Sequence, residues 1–335
     1  MRVLASYFAQ AGDVTIQNAW EHVYRCLLWK NEAAGLAHIY DSNHMQEGGV
    51  FHGRAVRFTE ELCRRWNVSR ANLWGQIDYL FKGCVAELRQ QAAAKAEAVE
   101  TGELLGDAED AVGHSELTVQ ILELLHGAGL DGDGATSVAT AIEALARDYL
   151  TIGNKRKNAL GEGFEDLLYL LLTGVAGVPA ENVALRQAVS KLPGFKKLPP
   201  APKGQKPLRQ PHPDIALLEG GITHVITTAK WSMRQDRETQ FASEFNAYQK
   251  FRTQGTELTF SLITNEFDLA RLSNVADAIP TGTGGYIFHN IYHINLEMLE
   301  ATHGGKLGRV GGHIATGKIR SLSDFLAEMR GQFAG

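Results

Sequence analysis

Cysteine is scarce: Cys26, Cys63 and Cys84 are the only three in 335 residues, far apart and odd in number. That excludes a disulfide framework and the paired spacing of a zinc site, so they read as reduced, mostly buried thiols. No run of eighteen apolar residues occurs, which leaves no candidate for a membrane-spanning helix. The N-terminus lacks a basic flank ahead of an apolar stretch with a small-residue cleavage site, so a cytoplasmic protein without membrane contact is expected. Surplus positive charge is missing too. The 33 Lys and Arg against 38 Asp and Glu leave a net charge of −5, which excludes a uniformly basic surface.

What is present is charge that is segregated along the chain. Seven acidic residues and no Lys or Arg lie between Glu97 and Glu116, whereas Lys191 to Arg209 holds six basic residues and no acidic one. Local density of this kind matters more for a polyanionic partner than the net sum. Hydrophobic residues at 44% and charged residues at 21% are ordinary for a soluble globular chain.

Helical periodicity dominates residues 1–92. Val14–Trp29 and Gly53–Trp66 carry apolar residues at three- and four-residue spacing, and Asn67-Val68-Ser69 separates the latter from a helix expected over Arg70–Phe81, with Ser69 as its N-cap. Arg64, Arg65 and Arg70 near that joint invite a helix-turn-helix reading, although two packed bundle helices look the same. An Ala-rich and then acidic stretch, 93–117, reads as a linker. The expected organisation is a helical N-terminal domain, 1–92, that linker, and a larger α/β (α+β) domain, 118–335.

In the larger domain Asn158–Leu172 reads as an apolar helix carrying Glu162 and Glu165 near its start. Leu192–Pro213 holds seven of the nine prolines and reads as an extended basic loop. Strands follow at Asp214–Leu218 and Ile222–Ala229, joined as a hairpin by Glu219-Gly220-Gly221. Then come a helix over Arg237–Gln254 with Phe241, Phe245, Tyr248 and Phe251 near one face, a strand at Leu258–Thr264, a helix over Glu266–Ala278, a strand at Tyr286–Ile294 and a last helix, Ser321–Phe333.

The stretch around the hairpin carries the chemistry. Asp214 supplies a carboxylate, the neighbouring strand supplies the Ala229 carbonyl, and Lys230, on the strand face of Thr228, supplies an ammonium. A carboxylate plus a main-chain carbonyl suits Mg²⁺, which takes a few hard oxygens and keeps its waters. An ammonium beside that ion suits hydrolysis of a phosphodiester. Arg forks four and seven residues past Lys230, at Arg234 and Arg237, with Asp236 between them, have the donors and acceptor that read guanine and cytosine edges.

Pro213-Asp214, followed by Thr228-Ala229-Lys230, resembles the PD-(D/E)xK nuclease signature, with Thr228 where the second acid normally stands. The continuation through Arg234-Gln235-Asp236-Arg237 to Glu244 resembles the CCGG-recognising group of type II restriction endonucleases, in which a Ser or Thr takes that acid position and a Glu of the next helix replaces it. The resemblance covers about residues 155–300, with sharp motifs across 213–244. It implies a restriction-endonuclease-like core, a central mixed β-sheet flanked by helices. It further implies Mg²⁺ held by Asp214, Glu244 and the Ala229 carbonyl, catalysis by Asp214, Lys230, Glu244 and Glu165 (Glu162 being the weaker upstream acid), and base readout by Arg234, Asp236 and Arg237. Double-stranded DNA cut at a palindrome containing CCGG, a homodimer or tetramer and a cognate DNA methyltransferase in the host follow as expectations. Two alternatives stand beside it: a phage-defence or repair nuclease of loose specificity, and a DNA-binding protein that does not cleave.

Overall fold

The computed structural model describes residues 2–31, 35–37, 47–87, 160–197, 210–233, 237–253, 257–280 and 285–334, with residues 90, 123–126, 129 and 136. Two compact units are distinguished: one comprises Met1–Phe81 together with Leu160–Gly335, the other Lys82–Ala159. Of the second unit, 82–87 and 123–126 are helical. The acidic stretch expected to act as a linker lies outside the described residues.

The larger unit is mixed α/β and built on a six-stranded sheet of order β3-β4-β5-β6-β7-β8. Its strands are β3 (Val183–Leu185), β4 (Ile215–Glu219), β5 (Ile222–Lys230), β6 (Thr259–Thr264), β7 (Asn290–His293) and β8 (Ile319–Ser321); β1 (Trp29–Asn31) and β2 (Gly35–Ala37) form a separate ribbon. From β3 to β5 the pairing is antiparallel, and from β5 to β8 it is parallel. The β4–β5 hairpin arises from its turn. Gly220 and Gly221 have φ of 58° and 74°, the left-handed pair that a two-residue hairpin loop requires and that glycine adopts without a Cβ clash.

Helices cover the sheet through aromatic side chains. On α6 (Arg237–Phe251), Phe245 and Tyr248 meet Phe260 of β6 at 6.0 and 5.4 Å between ring centroids, and Phe241 meets Phe288 at 5.2 Å. Phe260 and Phe288 stack at 4.7 Å, closing that cluster. Burying such rings dominates the energetics of the layer. Beneath β7 and β8, α10 (Leu322–Phe333) packs Phe325 on Tyr292; its N-terminus is a capping box in which Ser321 and Asp324 satisfy each other's main-chain N–H.

The N-terminal helices, beginning with α1 (Arg2–Gln10), belong to this same unit. Phe58 of α3 (His52–Trp66) packs edge-on to Phe267 at 5.1 Å, Arg57 donates to the Thr302 carbonyl at the end of α8 (Leu296–Thr302), and Arg65 pairs with Glu297 at 2.5 Å. Arg64 and Arg65 also share Glu61, so both of these arginines near the α3–α4 joint are engaged within the protein. Ser69 caps α4 (Arg70–Gln76) as expected, accepting from Asn72 N–H. The helix stops at Gln76 instead of reaching Phe81, because Ile77 is extended and Asp78 takes a φ of 65°.

Three other expectations shift. The helix over Val14–Trp29 shortens to α2 (Ala19–Leu27), and the strand over Tyr286–Ile294 to β7. The helix over Glu266–Ala278 becomes α7 (Leu269–Asp277), because Asp268 caps it through Ala270 and Arg271 N–H and leaves Glu266 in the preceding turn. The Gly-rich tail holds α9 (Arg309–Ala315) and β8, which periodicity over so short a span cannot announce. Among the described residues, no helix is long and apolar enough to cross a membrane.

Candidate active site

Asp214 immediately precedes β4, where the sheet holds it from both sides. Its carbonyl accepts from Arg186 N–H at 3.0 Å, extending the β3–β4 pairing by one residue. Its carboxylate reaches the other way, and Oδ2 accepts from Ala229 N–H at 2.7 Å and from the Lys230 ammonium at 2.7 Å. N–H and C=O of one strand residue point to the same side. The Ala229 carbonyl therefore faces the Asp214 side of β5, away from β6.

Glu165 joins this pair from α5, the helix over 160–170 that passes into a π turn at Leu171–Val175. The helix is placed by two close approaches. Gly163 lets Leu80 come so near that a Cβ there would stand 2.0 Å from Leu80 Cδ2. Phe164 meets Trp231, the residue after Lys230, edge-on at 5.6 Å. Glu165 is buried, whereas Glu162 is exposed and contributes its carbonyl to Arg186. Burial first and the Asp214 charge second push the Glu165 carboxyl up to about 7, against the opposing pull of Arg186 and Lys230. Of the two upstream acids, Glu165 is the buried one, near enough to feel the charges of Asp214 and Lys230.

Arg186 was not singled out in the sequence. Its guanidinium forks onto Glu165 Oε2 at 2.9 Å and Asp166 Oδ1 at 2.6 Å, two acids of which little is exposed. Its φ of 49° is left-handed, a strained setting for a residue with a Cβ. Nothing in Leu185-Arg186-Gln187 signals this role.

Glu244 stands apart from the pair. On α6 its Oε1 accepts from Gln240 one turn away at 2.7 Å. Buried Tyr248, one turn further along α6, has its hydroxyl raised well above its ordinary range by burial, then by Glu244, then by Asp214. Among the described residues no three His, Cys, Asp or Glu side chains cluster closely enough to hold a metal ion. Arg234 and Asp236 lie outside the described residues, and Arg237 opens α6 with its side chain outside them. Thr228 is buried on β5, where a carboxylate would carry a heavy desolvation cost.

The arrangement offers one carboxylate bonded to an ammonium, a second acid with a raised pKa and a carbonyl turned toward them. Comparison of the chain with protein-family models and with curated proteins finds no match to either.

Proposed function

We propose that this chain is a Mg²⁺-dependent type II restriction endonuclease that hydrolyses double-stranded DNA at a palindrome containing CCGG, on a restriction-endonuclease-like core. The observation that carries the reading is the convergence of Ala229 N–H and the Lys230 ammonium on a single oxygen, Asp214 Oδ2. Both bonds form at the end of a hairpin in a mixed sheet flanked by helices, so the carboxylate, the ammonium and the strand end that the motif names share one place.

The donor set fits a hard divalent cation. Among the described residues Asp214 Oδ1 and Glu165 Oε1 accept no hydrogen bond, because their partners engage Oδ2 and Oε2 alone. Together with the Ala229 carbonyl they present the few oxygens that Mg²⁺ takes beside its waters. Glu244, whose carboxylate is bonded to Gln240, would join the set only by leaving that bond. Bound there, the ion would supply charge neutralisation and an acidified water.

The chain's own groups have separable tasks. Lys230, held by Asp214, orients the attacking water or phosphate oxygen and stabilises charge building on the phosphorus oxygens. Asp214 fixes that ammonium, and Arg186 fixes Glu165. Arg234 and Arg237 take guanine edges and Asp236 the cytosine amines. Because a palindrome has a two-fold axis, the reader is at least a homodimer.

Incubating the protein with a random-sequence duplex library in Mg²⁺ and sequencing the ends tests this reading. Ends clustered at one CCGG-containing palindrome are expected. Scattered ends would favour a loosely specific nuclease. Intact duplex that is nonetheless shifted on a gel would favour a binder that does not cleave.

A further inference from the structure

Lys230 ends β5, and four residues later the chain reaches Arg234. Between them, Met233 is gripped at both of its main-chain polar groups. Its N–H donates to Glu266 Oε2 at 2.7 Å, and its carbonyl accepts from Arg271 Nη1 at 2.8 Å. Upstream, the Trp231 carbonyl accepts from Asn265 N–H at 3.0 Å. The Asn265 and Glu266 grips come from the turn after β6, the strand parallel to β5, whose Thr264 lies in register with Lys230, and the Arg271 grip comes from the first turn of α7 that follows. Both chain segments leave the sheet at the same end, so a carboxylate on one can reach the main chain of the other.

Glu266 is 0% exposed, with its other oxygen accepting from Asp268 N–H at 2.7 Å. A carboxylate so deeply enclosed is costly to place and persists only where its bonds are made. Neither bond closes a helix or a strand ladder. Both fix turns, and one of those turns leads straight into Arg234-Gln235-Asp236-Arg237.

We propose that Glu266 and Arg271 are positioning residues that set sequence preference, holding Met233 as the fixed point from which the base-reading segment departs. The proposal rests on that segment being the reader. Bidentate contacts to base edges discriminate through geometry, and a displacement of about 1 Å degrades them more than it degrades contact to the uniform phosphate backbone. Lys230 lies upstream of the grip, on a strand the sheet holds independently. Loosening Met233 therefore erodes selection more than chemistry.

The test compares single-turnover cleavage of a CCGG duplex with that of a duplex carrying one substituted base pair, in Mg²⁺, for the unsubstituted protein, Arg271→Met, Arg271→Lys and Glu266→Gln. Arg271 is 37% exposed, so its replacement is tolerated by the fold, which thermal melting checks. The ratio of the two rates is expected to fall about tenfold in Arg271→Met and Glu266→Gln, the equivalent of weakening one bidentate contact. Partial recovery is expected in Arg271→Lys, which keeps a donor for the Met233 carbonyl. A merely structural role would lower both rates together and leave the ratio alone. An unchanged ratio in both Arg271→Met and Glu266→Gln overturns the proposal while the CCGG preference of the unsubstituted protein stands. Absence of any such preference in the unsubstituted protein overturns the functional reading and this inference with it.

Discussion

Lys230 Nζ lies 2.7 Å from Asp214 Oδ2, and the two side chains are only 21% and 15% exposed. The pair is placed by the hairpin register, in which Ile215 opposes Thr227, so Asp214 and the strand end meet just beyond the last paired residues. An ammonium this close to a carboxylate is aimed by it, and loses its aim when the carboxylate is neutralised.

Asp214→Asn is therefore expected to lower cleavage at least about a hundredfold, the scale of losing one preorganised electrostatic group. Duplex binding in Ca²⁺, followed by gel shift, is expected to persist because the groups assigned to base readout are untouched. Retained turnover would remove Asp214 from the catalytic machinery.

Glu244 is the acid whose role rests most on its position in the sequence, since its carboxylate is bonded to Gln240. Glu244→Gln is expected to reduce the Mg²⁺-dependent rate at least about a hundredfold. Gln240→Ala, which removes the bond that holds Glu244 along its own helix, is expected to leave the rate at least as high. Full activity in Glu244→Gln would transfer the second carboxylate to Glu165, whose carboxyl is raised in part by the Asp214 charge.

Arg186 combines a stabilising fork with an unfavourable backbone. Arg186→Ala strands Glu165 and Asp166 and is expected to cost about 1.5–3 kcal/mol in urea unfolding, at the lower end because the guanidinium is 37% exposed and partly screened. Arg186→Gly loses the same fork but adopts the left-handed φ freely, so it is expected to be more stable than Arg186→Ala by about 1 kcal/mol. Equal stabilities would deny the strain.

Glu266 and His293 pull the pH dependence of stability in opposite directions. Burial raises the Glu266 carboxyl from 4.5 to about 7, so its contribution is fully present below pH 4.5 and is lost as the pH rises toward 7. Burial lowers His293 from 6.5 to about 4, so its contribution is present above pH 6.5 and is lost as the pH falls toward 4. Across the shared window the two offset each other. In Glu266→Gln only the histidine part remains, and stability is expected to rise with pH more steeply than in the unsubstituted protein, by up to about 1.4 kcal/mol per pH unit. Urea midpoints at several pH values measure it, and parallel curves for the two proteins would contradict it.

Sequence alone determined the features that depend on neighbours within a few residues. Gly220-Gly221 imposed the hairpin, Ser69 capped its helix, and the aromatic spacing of Phe241, Phe245 and Tyr248 marked the buried face of α6. Because the hairpin pairs residues across a two-residue turn, it also brought Asp214 to Ala229 and Lys230. The tertiary structure decided everything that joins distant segments. Tyr24 of α2 donates to Asn265 at 3.0 Å across 241 residues, Arg186 reaches back to Glu165, and Glu266, which has the look of a helix residue, is instead a buried anchor for Met233. A charged side chain carries the same composition whether it is solvated or enclosed. Its partner and its burial are fixed only when strands far apart in the chain align, and no local pattern encodes that alignment.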